Sequence, residues 1–354
     1  MAKGANVDKL AAEFADELDI LGVRVANLEK KADNVKITGE IRYNYADWDW
    51  DNGKEKYSDG WSALRSRIWV NGQINDDWTY TGMIENWQKF DDNKGNEKTE
   101  FRRAYVSGKL GGLNITAGRQ NLYLVNGNYY DEIADGIVAS YGKDVKLTAF
   151  YTKPTQQLLN YGVTECDIHG PVAQYVEFEK LYGVKLDAKL GIVDATAGYT
   201  VAKDGEYRNY YIKGDNISGL HDSFDVDDTK LWNVGVGFDV AKDVRLTADY
   251  MKADEEMNYD DDGFVVGLDY AGAKADEPGS FGVYGKYYDQ SRYTFMAHTM
   301  NGYYSDVGFK GYMVGANYTF AKNIIGAVEY YDLESKEAAD VDMDTIWAQL
   351  VFTF

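Results

Sequence analysis

The sequence predicts an all-β protein, a 16-stranded antiparallel transmembrane β-barrel that follows a short N-terminal α-helical coiled-coil stalk. Three observations lead to this fold class. Apolar and polar residues alternate along one segment after another. Short turns alternate with long acidic loops between these segments, and apolar residues recur at heptad spacing near the N-terminus. Alternation with a period of two is typical of strands that have one apolar and one wet face.

The composition favours one large domain that crosses a membrane with strands. The chain has 354 residues, a formal net charge of −21, 36 glycines, 30 tyrosines and only 3 prolines. Its mean hydropathy is negative, which suits a barrel because only alternate residues of each strand meet lipid. No apolar run approaches the ~20 residues that a membrane-crossing helix needs. The net charge argues against nucleic acid as a partner, since phosphate binding depends on clustered lysine and arginine.

Residues 1–34 form the first predicted domain, the coiled-coil stalk. Apolar residues recur there at alternating spacings of four and three, with charged residues between them, which is the pattern of a coiled-coil seam. The predicted trimeric seam consists of Val7, Ala11, Phe14, Leu18, Leu21, Val25 and Leu28. The same pattern also suits a single amphipathic helix that packs on the barrel or plugs it.

Residues 35–354 form the second predicted domain, the outer-membrane barrel. From Val35 onward the apolar period changes from that of a coiled coil to that of a strand, which marks the domain boundary. Sixteen segments carry the period of two. They are Val35–Tyr45, Ser62–Ile74, Trp78–Phe90, Thr99–Leu110, Leu113–Gln120, Gly136–Gly142, Val145–Lys153, Val176–Lys185, Gly191–Ala202, Lys230–Val240, Val244–Ala253, Gly263–Ala273, Ser280–Gln290, Val307–Phe320, Ile324–Glu334 and Asp342–Phe354.

The connections between these segments alternate in length. Short turns alternate with long acidic loops; the short turns include Gly111-Gly112, Lys242-Asp243 and Lys322-Asn323. We expect the short turns on the periplasmic side and the long loops outside. A soluble antiparallel sandwich would also alternate apolar and polar residues, but its buried faces would be aliphatic and its strands shorter.

Two stretches resemble known families of outer-membrane proteins. The last strand, which alternates apolar residues and ends with Phe352 and Phe354, resembles the C-terminal signal that the barrel-assembly machinery reads. That resemblance implies the machinery as a partner, a bilayer with lipopolysaccharide as the surroundings, and Phe354 as the true chain end. The stretch Ala117-Gly118-Arg119-Gln120 resembles the general porins, in which the third loop then folds into the pore. It implies a constriction formed by residues 121–135, with an acidic contribution from Asp131, Glu132 and Asp135.

A heptad stalk joined directly to a 16-stranded barrel is similar to the OmpM-type porins of diderm relatives of Gram-positive bacteria, whose N-terminal S-layer homology domain binds the cell wall. The resemblance covers nearly the whole chain. Together with the heptad seam, it leads us to expect a homotrimer with its stalk in the periplasm. It departs at one place, because no S-layer homology domain precedes Asn6. Contact with peptidoglycan, and hence outer-membrane tethering, is therefore expected only through a domain of a longer parent protein.

Basic side chains on the early strands are candidates for the opposite side of the constriction. Strand parity sends most of them to the wet face, although that of Arg119 points outward unless its strand bulges. The predicted basic side consists of Arg42, Arg65, Arg67, Arg103 and Arg119. Facing the acidic loop, these residues would set a transverse field across the pore. The alternative is that lumenal charges only solvate a wide channel, and the sign of ion selectivity stays open.

The expected function is general diffusion of small hydrophilic solutes and ions through the barrel. The alternative is a mainly structural outer-membrane anchor whose barrel is plugged or substrate-selective. The sequence predicts no enzyme, no cofactor and no metal site, because the single cysteine and the three scattered histidines offer no ligand spacing. The inward positions are largely charged or polar, and such a lining should hold water.

Overall fold

The computed structural model describes most of the chain. The described residues are 14, 15, 17, 21–23, 34–51, 53, 55–90, 98–155, 159–166, 170–213, 216–254, 260–304, 308–336 and 340–354. The strands are β1 (Val35–Asp51), β2 (Lys56–Gln73), β3 (Trp78–Lys89), β4 (Thr99–Leu110), β5 (Leu113–Leu124), β6 (Tyr130–Gly142), β7 (Val145–Pro154), β8 (Leu159–Cys166), β9 (Gly170–Leu190), β10 (Val193–Lys213), β11 (Asn216–Val226), β12 (Thr229–Ala241), β13 (Val244–Asp254), β14 (Asp262–Ala271), β15 (Phe281–Ser291), β16 (Gly308–Ala321), β17 (Ile324–Ser335) and β18 (Asp342–Thr353).

Sixteen of these strands form a closed antiparallel ring, which confirms the predicted 16-stranded barrel. Every wall strand pairs with its neighbours, and pairing of β18 with β1 closes the ring. β7 pairs directly with β9, and β10 with β12. The two remaining described strands, β8 and β11, pair only with the parts of β9 and β10 that extend beyond the ring. They were not predicted, and they lengthen two connections at the long-loop end.

The two faces of the ring differ in chemistry along each strand. Val234 and Val236 on β12, for example, expose 55% and 45% of their surfaces on the outside. The inner face carries buried polar side chains, such as Asn233, Thr200 and Asp249 on β12, β10 and β13, together with buried apolar ones such as Leu231. Alternation therefore places an apolar belt outside and a lining of polar and apolar side chains inside, whereas the outside of a soluble barrel is polar.

The turns and the seam of the ring suit the residues that form them. Two-residue turns join β12 to β13 and β16 to β17, and Asp243 and Asn323 adopt φ angles of 59° and 64°, which these residue types tolerate. At the seam, the backbones of Gly39 and Phe354 exchange hydrogen bonds of 2.7 and 3.0 Å. The Phe354 ring lies directly over Gly39, where any side chain would collide with it. The terminal aromatic residue thus completes the wall.

The N-terminal helix is described only in part. Phe14 and Leu21 of the predicted seam are helical and exposed. The other predicted seam residues, Val7, Ala11, Leu18, Val25 and Leu28, lie outside the described residues. Among the described helical residues, none belongs to a helix long and apolar enough to cross a membrane.

Candidate functional site: a lumen narrowed by two segments

The β5–β6 hairpin leaves the wall and enters the lumen. Pairing of β5 with β4 ends at Arg119, and pairing of β6 with β7 begins at Ala134. Between these points β5 and β6 no longer pair with β4 and β7 and instead pair with each other, up to Leu124 and Tyr130. Residues 121–135 were predicted as an inward loop; most of them are strand instead, because the two segments satisfy each other's backbone groups as they leave the wall.

The hairpin tip is seated on a distant wall strand. Asn126 Nδ2 donates to both carboxylate oxygens of Asp249 at 3.0 Å, and Asn128 Nδ2 donates to Asp249 Oδ2 at 3.0 Å. Asp249 lies on β13, and β7, β9, β10 and β12 stand between β6 and β13 in the ring. The tip is also strained, because Val125 and Asn126 both have a φ of 54°. A β-branched residue rarely adopts this conformation, at a cost of roughly 1–3 kcal/mol.

A second segment, residues 292–304 between β15 and β16, enters the lumen from the opposite side of the ring. Its backbone pairs with the hairpin: Met296 N donates to Tyr129 O at 2.8 Å, and Asp131 N donates to Ala297 O at 2.8 Å. Thr299 N donates to Gly127 O at 2.9 Å. A side chain on Gly127 would place its Cβ 2.7 Å from Thr299 Cβ. We call the junction of the hairpin with residues 292–304 the lumenal bridge.

The lumenal bridge has a small aromatic core of its own. His298 contacts the rings of Tyr288, Tyr304 and Phe309 with centroids 5.6, 5.9 and 5.8 Å away. Met300 N donates to His298 Nδ1 at 3.0 Å, so Nε2 carries the proton that it shares with Gln290 Oε1, also at 3.0 Å. Burial, with a smaller contribution from Lys286, lowers the pKa of His298 to about 3. The imidazole is therefore neutral.

The far end of the second segment is fixed to the wall beside the seam. The ring of Tyr303 stacks on Trp48 with centroids 5.5 Å apart and planes within 3°. Tyr303 N donates to Thr345 Oγ1 at 3.0 Å, and Asn301 Nδ2 donates to Glu329 Oε2 at 2.9 Å. Strands β1, β17 and β18 thus hold this segment across the lumen.

The inward arginines of β1, β2 and β4, which we call the arginine wall, include Arg42, Arg65, Arg67 and Arg103. Arg65 contacts Glu40, and Arg67 contacts Glu85, each at 2.5 Å. Arg103 is buried and donates to Asn121 Oδ1 of the hairpin at 2.6 Å. These contacts place the arginine wall against the root of the hairpin.

Sequence reasoning missed one arginine of this wall. The register between β3 and β4 shifts at Met83 and Ile84, so that Arg102 also contacts lumenal groups. Arg102 lies 3.3 Å from Glu85 and 2.5 Å from Glu132, the acidic residue predicted on the hairpin. Strict alternation assigned only one residue of the Arg102–Arg103 pair to the lumen, and no local pattern signals the bulge.

The remaining predicted site residues take different places. Arg119 donates to both oxygens of Asp135 at 2.8 and 2.7 Å. Their register puts this pair on the face that bears Ile137 and Tyr151, which are exposed outside the ring. Asp131 accepts hydrogen bonds from Asn121 Nδ2 at 2.7 Å and from Thr299 Oγ1 at 2.8 Å, inside the lumenal bridge.

Beside the hairpin tip lies a cavity of about 500 Å³. Its lining includes Lys185, Asp187, Asp194, Arg245 and Lys286 from wall strands near the short-turn end. Both signs of charge are present, and Arg245 pairs with Asp194 at 2.5 Å. Such a surface is suited to water rather than to apolar ligands. Within the described residues, no group of three His, Cys, Asp or Glu side chains is placed to hold a metal ion.

Comparison with known proteins identifies the architecture. A triple mutant of the porin from Rh. blastica superimposes with a TM-score of 0.52 at 12% identity, covering 90% of this chain and 100% of that one. OmpF of Salmonella typhi gives 0.54 at 14%, covering 90% and 97%. A loop-deletion mutant of OmpT, an outer membrane protein of Vibrio cholerae, gives 0.50 at 17%, covering 90% and 99%. The chain has the porin fold. Neither the protein-family models nor the curated proteins include a match to this sequence.

Proposed function

We propose that this protein is an outer-membrane porin through which small hydrophilic solutes and ions diffuse. The observation that carries the proposal is a closed ring of sixteen strands with an apolar outer belt and charged and polar side chains in its inner lining, whose lumen is narrowed by an inward hairpin. An apolar belt fits lipid, and a charged lining fits water. Of the solved structures with this fold that we compared, one is named as a porin, one as OmpF and one as an outer membrane protein.

The constriction in this proposal lies between the arginine wall and the hairpin. Arg42, Arg65, Arg67 and Arg103 provide its basic side, and Glu132 with Asp131 provides its acidic side. We leave Arg119 and Asp135 out of the constriction and assign them to the outer root of the hairpin. Because Glu132 is paired with Arg102, the transverse field is weaker than the number of charges suggests, and local unpaired arginines favour anions.

The proposal extends to assembly and location. We propose a homotrimer in a bilayer with lipopolysaccharide, with the long-loop end outside and the short-turn end in the periplasm. Phe352 and Phe354 serve as the signal for the barrel-assembly machinery, and the N-terminal helix serves as a trimeric coiled-coil stalk. In a longer form of the protein, the stalk joins the barrel to a domain that binds peptidoglycan.

A specific observation favours a second function, that of a structural anchor. The lumenal bridge joins opposite sides of the ring through backbone hydrogen bonds and buries large aromatic side chains in the lumen. A barrel filled in this way could stabilise the envelope without passing solutes. The two functions differ in conductance.

Single-channel conductance of the purified protein in a planar lipid bilayer tests both functions. A porin trimer gives stepwise insertions that close in three equal levels. Folded insertion without current, with insertion checked by resistance of the barrel to SDS and protease, would contradict the porin function and support the anchor. Conductance that closes in a single level would retain the porin and contradict the trimer.

A further inference from the structure

We propose that the inner wall formed by β18, β1, β2 and β3 binds aromatic carboxylates, with Arg42 between Trp87 and Trp347 as its centre. The inference deepens the proposed function and rests on it, because this wall meets solutes only if the lumen is their path. It identifies a class of solute that the barrel retains during passage.

Tryptophan is concentrated on this part of the inner face. The chain has 8 tryptophans. Registers place all but Trp78 and Trp232 on inward positions of these four neighbouring strands. Those inward tryptophans are Trp48, Trp50, Trp61, Trp69, Trp87 and Trp347. A porin wall that only solvates ions has no need of large apolar rings, since they replace polar lining.

The rings enclose a guanidinium group. Arg42 Cζ lies 5.7 Å from the centroid of the Trp87 ring and 5.8 Å from that of Trp347, and Arg65 Cζ lies 5.5 Å from Trp87. The Trp61 ring lies 5.5 Å from Trp347 and 6.1 Å from Trp87. These distances are within the range of cation–π and aromatic contacts. Trp61 and Trp87 keep part of their surface open, so they can meet a solute.

Arg42 differs from its neighbours because it has no acidic partner. Among the described residues, its hydrogen-bond acceptor is Gln349 Oε1 at a long 3.4 Å, and no carboxylate forms an ion pair with it. Arg65 and Arg67, by contrast, contact Glu40 and Glu85. Glu40 and Glu85 act on Arg42 through space but form no hydrogen bond to it, so its guanidinium group is available to an anion.

The hydrogen-bonding atoms around Arg42 specify the kind of anion. Within the described structure, buried polar atoms of this wall lack a partner, namely Arg42 Nε, Arg65 Nε, Trp347 Nε1, Asn44 Nδ2 and Asn44 Oδ1. All of them except Asn44 Oδ1 are donors. A carboxylate only accepts hydrogen bonds and suits a wall rich in donors, whereas each sugar hydroxyl also brings a donor that needs an acceptor. Because these atoms are buried, the guanidinium group of Arg42, which keeps part of its surface open, is the group that the carboxylate meets. The indoles supply a stacking surface for a ring attached to the carboxylate.

The test uses planar bilayers in KCl with benzoate as the probe, acetate as an anion without a ring, and benzyl alcohol as a ring without charge. We expect benzoate to reduce the single-channel current in a saturable manner at concentrations at which acetate and benzyl alcohol do not. Equal effects of benzoate and acetate, or of benzoate and benzyl alcohol, would overturn the site.

Variants assign the effect to the wall. In Arg42→Gln we expect the half-blocking concentration of benzoate to rise by about tenfold or more, as for loss of a hydrogen bond to a charged group. Trp87→Phe keeps a ring and should change block less than Trp87→Ala. Trp232→Leu, on the outer face, is the matched control and should leave block unchanged. If Arg42→Gln and Trp87→Ala both bind benzoate as the wild type does, the assignment is wrong.

The KCl current separates failure of this site from failure of the porin function. Current without benzoate block leaves a porin and rejects the site. If the barrel conducts nothing, quenching of tryptophan fluorescence by benzoate in detergent-solubilised protein decides, with Arg42→Gln as the reference: equal quenching of both proteins rejects the site.

Discussion

The two segments that meet in the lumen are built in different ways. The β5–β6 hairpin carries its own backbone pairing with it, from Arg119 and Asp135 up to Leu124 and Tyr130. Residues 292–304 have little regular structure, and their backbone groups find partners on the hairpin and the wall. The hairpin thus satisfies most of its own backbone groups and depends on the wall only at its tip. The second segment, by contrast, depends on its neighbours for backbone hydrogen bonds. The difference predicts which of the two supports the other.

Removing residues 293–304, with a short Gly-Ser linker in their place, should have the largest effect. The ring stays intact, because none of its pairings involves these residues. The hairpin retains its own pairing and its contact with Asp249 but loses its hydrogen bonds to residues 293–304, which also no longer fill the lumen. We therefore expect conductance to rise severalfold with frequent transitions between levels. Single-channel recording checks this, with removal of residues 122–132 as the reference.

If the hairpin keeps its position without residues 293–304, the order of the two deletions is reversed. Conductance would then change little on removal of 293–304 and greatly on removal of 122–132. Equal and non-additive increases in the two deletions would indicate that the lumenal bridge works as one unit.

The next largest effect is expected at the hairpin's own seat. Asp249→Asn places an amide where the buried carboxylate accepts hydrogen bonds from Asn126 and Asn128, so that at least one donor is left without a partner. We expect the free energy of unfolding to fall by about 1–3 kcal/mol. Urea unfolding in detergent measures it. The control is Asp269→Asn, which lines the same cavity and should change stability little; equal losses in the two variants would contradict the seat.

The ring itself could be predicted from the sequence, because its signal is local. Each wall strand shows alternation by itself, and all sixteen predicted segments overlap the strands found in the wall. Strand ends were less predictable: β1 continues to Asp51, since Trp48 and Trp50 keep the inward parity among acidic residues that suggested a loop. Both rings face the lumen, where Trp48 stacks on Tyr303.

The lumenal bridge could be predicted only in part. The Gly118-Arg119-Gln120 stretch indicated an inward segment after β5, and the structure has one there. The second segment leaves no local signal, because its contacts are with residues far away in sequence; Thr299 and Asp131, for instance, are separated by 168 positions. The unpaired state of Arg42 is likewise a property of the assembled wall, since it depends on which carboxylates reach the neighbouring arginines.

Acidification should loosen the second segment more than the hairpin. His298 has its pKa lowered to about 3 in the folded bridge, against about 6.5 for a solvated histidine. Below pH 6.5 an opened segment therefore binds a proton that the closed one does not, and closure loses about 1.4 kcal/mol per pH unit until the folded pKa is reached. Above pH 6.5 the residue has no effect. The charged group that faces it is Lys286, which opposes protonation further.

Open-state noise recorded between pH 7.5 and 4.5 checks this dependence. We expect noise to increase below pH 6.5 in the wild type and to stay flat in His298→Gln, which keeps polar atoms but does not titrate. The same pH dependence in both proteins would assign the effect to another group. Protonation of His298 would then not distinguish the second segment from the hairpin.

The smallest effect is expected where one side chain joins the two segments. Thr299→Val removes the hydroxyl that donates to Asp131 Oδ2 at 2.8 Å, while the backbone bond from Thr299 N to Gly127 O remains. Asp131 keeps Asn121 as a donor and is not fully buried, so water can replace the hydroxyl, and the loss should be about 1 kcal/mol. Thr299→Ser keeps the hydroxyl and should match the wild type in urea unfolding. If Val and Ser behave alike, this hydrogen bond contributes nothing, and backbone pairing alone joins the segments.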